Sequence, residues 1–252
     1  MLCAKLKRII LLTHLRMRIY NTLILPQFNA EKDGGANMKS YYDEEGAPKL
    51  EDMQDTGKSS VLLVGDSIRQ GYCATVKELL AKTADVYYPE DNCRFAQYII
   101  SSISSIVNLV PDPDRVKAVY WNCGHWDTAH FREDPEPLNS PEQYGHAVGR
   151  VQKAFKREFK NAEIIFATTT PMNPSGEQSI NPRYTSEIKK YNDIAERIVL
   201  ELGGKVDDLF ELMINKDSSW YADYCHYTAE GFRYIGQHVA EFLSKELSKP
   251  NQ

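Results

Sequence analysis

A chain of 252 residues has the length of one or two domains. Its make-up, 42% hydrophobic and 26% charged, is that of a globular protein and argues against collagen-like, wholly disordered and membrane-spanning organisation. Thirty basic against 35 acidic residues give a net charge of -5, which withholds the electrostatic footing that nucleic-acid binding needs, so neither nucleic acid nor membrane is expected as a partner. The five cysteines, Cys3, Cys73, Cys93, Cys123 and Cys225, are odd in number in a chain long enough to bury its own core. No disulfide framework is required, and a reducing, cytoplasmic compartment is expected. The absence of an Asn-x-Ser/Thr acceptor with a permitted middle residue agrees with that.

Residues 1–37 carry six basic residues, Lys5, Lys7, Arg8, Arg16, Arg18 and Lys32, against Glu31 and Asp33, so the charge changes sign near Met38. The apolar run from Ile9 is cut short by Arg16 and Arg18, which suits neither a signal peptide nor a transmembrane helix. Three readings stay open: a basic targeting segment, a disordered extension, and an upstream start codon with Met38 as the true first residue. Residues 39–59 are acidic and polar, and residues 1–57 as a whole are expected to be a disordered or loosely attached arm.

Val61-Leu62-Leu63-Val64 is a continuous apolar run closed by Gly65, as in a strand buried on both faces of a parallel sheet. A helix is expected over 72–81, and further strands over 86–88, 116–121, 164–167 and around Lys205-Val206. Helical periodicity separates them. Ser140-Pro141-Glu142-Gln143 supplies a cap, a first-turn proline and a capping-box Gln ahead of Tyr144, Val148, Val151, Phe155 and Phe159. Another helix runs from Tyr184 through Ile188, Tyr191, Ala195 and Ile198 to a stop at Gly203-Gly204, and the last follows Thr228. Strands alternating with helices over 58–248 predict one three-layer α/β/α domain around a parallel sheet.

Ligands of open parallel sheets sit beyond the carboxyl ends of the strands, where the strand order reverses. After the first strand comes Gly65-Asp66-Ser67-Ile68, and a serine on a tight strand-to-helix turn presents its hydroxyl beside backbone N–H groups, as a nucleophile requires. Asp223-Tyr224-Cys225-His226 precedes the last helix. A carboxylate three residues ahead of a histidine can turn back onto Nδ1–H and leave Nε2 to take the serine proton.

These two blocks resemble those of the SGNH, or GDSL, hydrolases, a family of esterases and lipases, and the resemblance spans about residues 60–243. It implies a flavodoxin-like five-stranded parallel sheet of order 2-1-3-4-5, Ser67 as nucleophile, Asp223 and His226 as acid and base, and no metal or organic cofactor. The middle blocks depart from the family pattern. Pro89-Glu90-Asp91-Asn92-Cys93-Arg94 stands where a glycine usually offers an N–H to the oxyanion, and Asn92 is the expected substitute because Asn tolerates unusual backbone angles. Asn122-Cys123-Gly124-His125-Trp126-Asp127 puts Trp126 in place of the usual oxyanion Asn, with Asn122 as the replacement amide. The Asn-x-Gly-His-Trp pattern is similar to the polysaccharide O-acetyltransferase and esterase branch, and implies an acetylated sugar as substrate.

Other constellations compete less well. Gly57-Lys58-Ser59 precedes a strand and lacks the first glycine of a P-loop, and no Gly-x-Gly-x-x-Gly, Cys-x-x-Cys or His-Glu-x-x-His is present. Cys93, Cys123 and Cys225 adjoin the blocks and, with His125 or His226, keep a zinc hydrolase open as the runner-up, while buried small apolar thiols are the better account of them. His125 is a rival base or a wall of the site. Arg69, Arg94, His125 and Trp126 are candidate substrate contacts, Arg69 and Arg94 for an acidic group or as structural ion pairs. The expected activity is that of a serine esterase removing a small acyl group, acetyl first, from a carbohydrate or similar polar ester. The alternatives are a lipase, thioesterase or acyltransferase of the same fold, the zinc hydrolase, and a ligand-binding pseudo-esterase.

Overall fold

The computed structural model describes residues 55–132, 134–176 and 181–249. The arm expected over 1–57 lies outside them except for its last three residues. Five strands, β1 (Ser59–Val64), β2 (Ala84–Tyr87), β3 (Val116–Trp121), β4 (Glu163–Ala167) and β5 (Lys205–Asp207), pair in parallel in the order β2-β1-β3-β4-β5. This is the 2-1-3-4-5 sheet expected from the sequence. Its order reverses between β1 and β3.

Continuous apolar strands are what a sheet covered on both faces needs, and alternate residues of each strand serve opposite layers. Val61 and Leu63 of β1, with Ala118 and Tyr120 of β3, pack under helices α1 (Ser67–Leu80) and α7 (Ala229–Leu247). Leu62 and Val64, with Val119 and Trp121, pack under α4 (Pro141–Glu158) and α5 (Thr185–Glu201), and against the short helices α2 (Ala96–Ser101) and α3 (Ile103–Val107). A further short helix, α6 (Leu209–Met213), follows β5.

The Ser140 cap forms as the sequence predicts, with Ser140 Oγ on the Gln143 N–H and the Gln143 side chain on the Ser140 N–H. Thr228 caps α7 by accepting from the Gly231 N–H at 3.2 Å. The helix expected over 72–81 begins five residues earlier, at Ser67, because the Asp66 carboxylate accepts from the Ile68 N–H at 3.0 Å and starts the helix directly after the strand. That shift sets Ser67 in the first turn, where backbone N–H groups lack helical partners. Among the described residues no helix is long and apolar enough to cross a membrane.

Candidate active site

β1 ends at Val64, and its neighbour β3 delivers Asn122 to the same edge, where the Asn122 N–H bonds the Val64 carbonyl at 3.0 Å. The Asn122 Nδ2–H donates to Asp66 Oδ1 at 2.9 Å. Only a glycine fits between them, since a Cβ at Gly65 would overlap the Asn122 carboxamide. Asp66 is fully buried, and burial pushes its carboxyl above the ordinary range, against the lowering effect of the Asn122 and Ile68 N–H groups.

Ser67, at the head of α1, is half-buried and meets the segment between β5 and α7. That segment is a tight loop closed by a Tyr221 to Tyr227 bridge and by the Ala222 N–H on the His226 carbonyl at 2.9 Å. Asp223 Oδ1 accepts the N–H groups of Cys225 (2.8 Å) and His226 (2.7 Å), which leaves Oδ2 to bond His226 Nδ1 at 2.7 Å. His226 Nε2 lies 2.8 Å from Ser67 Oγ. Because Nδ1–H donates to the carboxylate, Nε2 of the neutral ring accepts the serine proton. Burial alone would raise the Asp223 carboxyl, yet the His226 bond and charge and the two backbone N–H groups overcome it and bring it down to about 2. Burial likewise depresses His226, and the Asp223 hydrogen bond, followed by Cys225, turns the net shift upward from the ordinary histidine value.

The loop after β2 is drawn to this point by the Cys93 N–H on the Gly65 carbonyl at 3.0 Å. Asn92 Oδ1 accepts the Arg94 N–H at 2.8 Å. Neither the Ser67 N–H nor the Asn92 N–H bonds another described residue. The unusual backbone angle expected at Asn92 falls instead on Arg94, at φ 49°. Arg69 does not reach the opening. It is fully buried, with its guanidinium donating to the carbonyls of Pro89 (2.8 Å), Asp91 (2.7 Å) and Gly65 (3.3 Å), so it braces the loop and cannot be a substrate contact.

After β3 the chain turns at Gly124, at φ 148°, where a Cβ would strike Thr169. His125 is buried, its Nε2 is 3.2 Å from Thr170 Oγ1, and its carbonyl accepts from Arg183 Nε. Burial, then the charges of Arg183 and His226, hold it well below the ordinary histidine value, which favours the neutral ring. Trp126 is half-buried, 6.3 Å from the Phe131 ring and 6.0 Å from the exposed Arg94 guanidinium. Two participants escaped the sequence reading. Asp66 carried a visible N-cap signal, whereas Arg183, which also bonds the Tyr224 hydroxyl at 3.4 Å, sits in a loop with no pattern to announce it.

Cys73, Cys93, Cys123 and Cys225 are all buried and unpaired, and burial pushes the thiols of Cys73, Cys93 and Cys123 upward. Among the described residues, Asp223, Cys225 and His226 alone cluster tightly enough to hold a metal ion. The Cys225 thiol is 3.7 Å from His226 Nδ1, the nitrogen that already serves Asp223. A metal taken up there would replace that Nδ1–H, so the cluster fits a histidine dyad better than zinc.

No family model matches the sequence, and no curated protein matches it. Solved structures do share its fold. An acetyl xylan esterase superposes with a TM-score of 0.60 at 15% identity over 73% of this chain and 99% of its own. A lipase/acylhydrolase from Enterococcus faecalis gives 0.56 at 18% identity over 77% and 98%. Est24, a carbohydrate acetylesterase from Sinorhizobium meliloti, gives 0.57 at 12% identity over 75% and 99%.

Proposed function

We propose that the protein is a serine esterase that removes a small acyl group, acetyl first, from a carbohydrate or similar polar ester. The observation that carries this reading is the unbroken line from Ser67 Oγ through His226 to Asp223, with bonds of 2.8 and 2.7 Å, at the edge of the sheet where the strand order reverses. Ser67 Oγ attacks the ester carbonyl as its proton passes to His226 Nε2, and Asp223 stabilises the imidazolium that forms. The negative oxygen of the tetrahedral intermediate is taken by the N–H groups of Ser67 and Asn92 and by the Asn122 N–H not engaged by Asp66. Collapse expels the alcohol, which leaves with the proton from His226. Water, deprotonated by the same ring, then releases the acid from the acyl-serine and restores Ser67. The reaction needs no cofactor.

The choice of a sugar acetate is supported by Asn122-x-Gly-His-Trp and by the half-buried Trp126 beside the site. It is supported too by two neighbours of the same fold whose names state that they act on acetylated xylan and carbohydrate. Four buried, unpaired cysteines suit a reducing, cytoplasmic setting. The test is hydrolysis of 4-nitrophenyl acetate with fluorophosphonate labelling of Ser67, followed by acetate release across a panel of acetylated glycans. An unlabelled Ser67 in a folded protein rejects the serine mechanism, and activity confined to long-chain esters rejects the sugar acetate.

A further inference from the structure

Three arginines surround the proposed site, and two of them are closed in. Arg69 and Arg183 are buried, and both donate to backbone carbonyls. Arg94 is exposed, and its side chain makes no hydrogen bond or ion pair with any described residue. Its guanidinium carbon lies instead over two aromatic rings, 5.0 Å from the Tyr98 centroid and 6.0 Å from that of Trp126. A cation–π contact draws on the guanidinium charge and takes up none of its hydrogen bonds to acceptor oxygens, so the N–H donors can still meet a carboxylate with two parallel bonds. Arg94 also occupies the left-handed backbone region, at φ 49°, where glycine is the ordinary choice. A long cationic side chain kept at a position that disfavours any Cβ points to a use for the side chain itself. The loop that carries it is pinned beside the nucleophile through the Cys93 to Gly65 bond.

Resting on the esterase reading of Ser67, we propose that Arg94 selects acetylated saccharides bearing a carboxylate. Their carboxylate meets the N–H donors of its guanidinium while Tyr98 and Trp126 hold the cation over their rings. O-acetylated oligomers of a uronic acid are the matching substrate class. The neutral methyl ester of the same oligomer keeps every other contact and loses this one.

The test compares acetate release from an O-acetylated oligogalacturonate with release from its methyl ester, each as kcat/KM. The wild-type protein is expected to prefer the free acid by about three- to tenfold at low salt, as for an accessible charge-assisted pair, with the ratio shrinking toward one at high ionic strength. Arg94→Gly, which suits the backbone at this position, and Arg94→Gln should bring the ratio to one, and Arg94→Lys should keep part of it. Thermal melting checks that each variant is folded. Titration calorimetry of Ser67→Ala with the two oligomers reads the same preference without turnover. Equal use and equal binding of acid and ester by the parent chains, or a preference that survives in Arg94→Gly, overturns the proposal. Failure of the esterase reading looks different: Ser67→Ala then keeps its hydrolysis of 4-nitrophenyl acetate.

Discussion

The two edges of one sheet use charge in opposite ways. Beyond the amino ends of the strands lies a groove of about 550 Å³ lined by Lys117, Lys160, Glu163, Lys205, Glu246 and Lys249 among others. Its charges answer one another: Lys205 lies 3.1 Å from Glu163 and 2.5 Å from Glu246, which also takes Lys249 at 2.6 Å. Beyond the carboxyl ends, polar groups are buried and incompletely paired. Asp66 Oδ2, Asn122 Oδ1 and His125 Nδ1 have no hydrogen-bond partner among the described residues, and Ser67 keeps its hydroxyl at the imidazole. Paired surface ions contribute little and perform no chemistry, whereas unsatisfied buried polar atoms cost free energy and persist at working sites. The groove marks one edge and the line from Ser67 through His226 to Asp223 marks the other, and only that line is arranged to move a proton.

The largest effect expected is at Ser67. Ser67→Ala should lower kcat for 4-nitrophenyl acetate by about 10⁴ or more, since nucleophile, base and orienting acid act as a unit. Its melting temperature should stay within a few degrees of the wild type, because the hydroxyl is half-buried and caps nothing. A folded Ser67→Ala protein with a tenth of the original activity would move the chemistry away from the carboxyl edge.

Asp223→Asn tests the same line through its pH dependence. The competent form of His226 is neutral, and its folded ionisation is raised, so kcat/KM should climb with pH through a limb above the ordinary histidine value of about 6.5. Removing the carboxylate takes away the largest raising influence and leaves burial, which depresses the ring, opposed by Cys225, so in Asp223→Asn the limb should move to lower pH while kcat falls by about 10⁴. An unmoved limb would mean that another group governs it, and His125→Ala, expected to leave the limb where it is, identifies whether that group is His125.

How far such a site can be read from sequence depends on the range of the interactions. The β3 strand and the Ser140 capping box are local, and the sequence places each where it stands. Asp223 and His226 are three apart and share one turn, so their pairing is legible, and the serine follows from the strand it ends. Contacts that close over long separations leave no such trace. Arg69 reads in sequence as a contact for an acidic substrate group or as half of an ion pair, and only the return of residues 89–91 to α1 shows it buried against their carbonyls. The helices α2 and α3 were not anticipated individually. Their Ile- and Ser-rich turns have weak helix propensity and no side-chain cap, so packing of Ala96, Ile99 and Ile106 against the second core holds them.

Asn122 is where the two kinds of polar group meet, because one N–H already ties Asp66 into the turn. If the other serves the oxyanion, Asn122→Ala should lower kcat by about 10² to 10³ with KM little changed. The lost bond to a buried carboxylate should also cost about 1 to 3 kcal/mol of stability. Kinetics and melting on one preparation separate the contributions. Stability lost with kcat intact would assign Asn122 to the turn alone and leave the N–H groups of Ser67 and Asn92 as the oxyanion donors.

The smallest effect belongs at the other edge. Lys205→Met removes the lysine between Glu163 and Glu246 and leaves Glu246, whose side chain is 9% exposed, with Lys249. Such a rim pair contributes about 0.2 to 1 kcal/mol, or a melting shift of a few degrees at most in a domain of this size. Burial raises the Glu246 carboxyl, but Lys205 and Lys249 bring it below the ordinary glutamate value. A carboxyl depressed on folding stabilises above its unfolded pKa, near 4.3, and loses that contribution as pH falls through the folded one. The stability gap between wild type and Lys205→Met should therefore be fully open at pH 7 and narrow below about pH 4, and it should shrink with added salt. Ester hydrolysis should be unchanged, since the substitution lies across the sheet from Ser67 with no shared partner. A large loss of activity in Lys205→Met would show that the two edges are coupled through the strands, and the division of labour between them would fail.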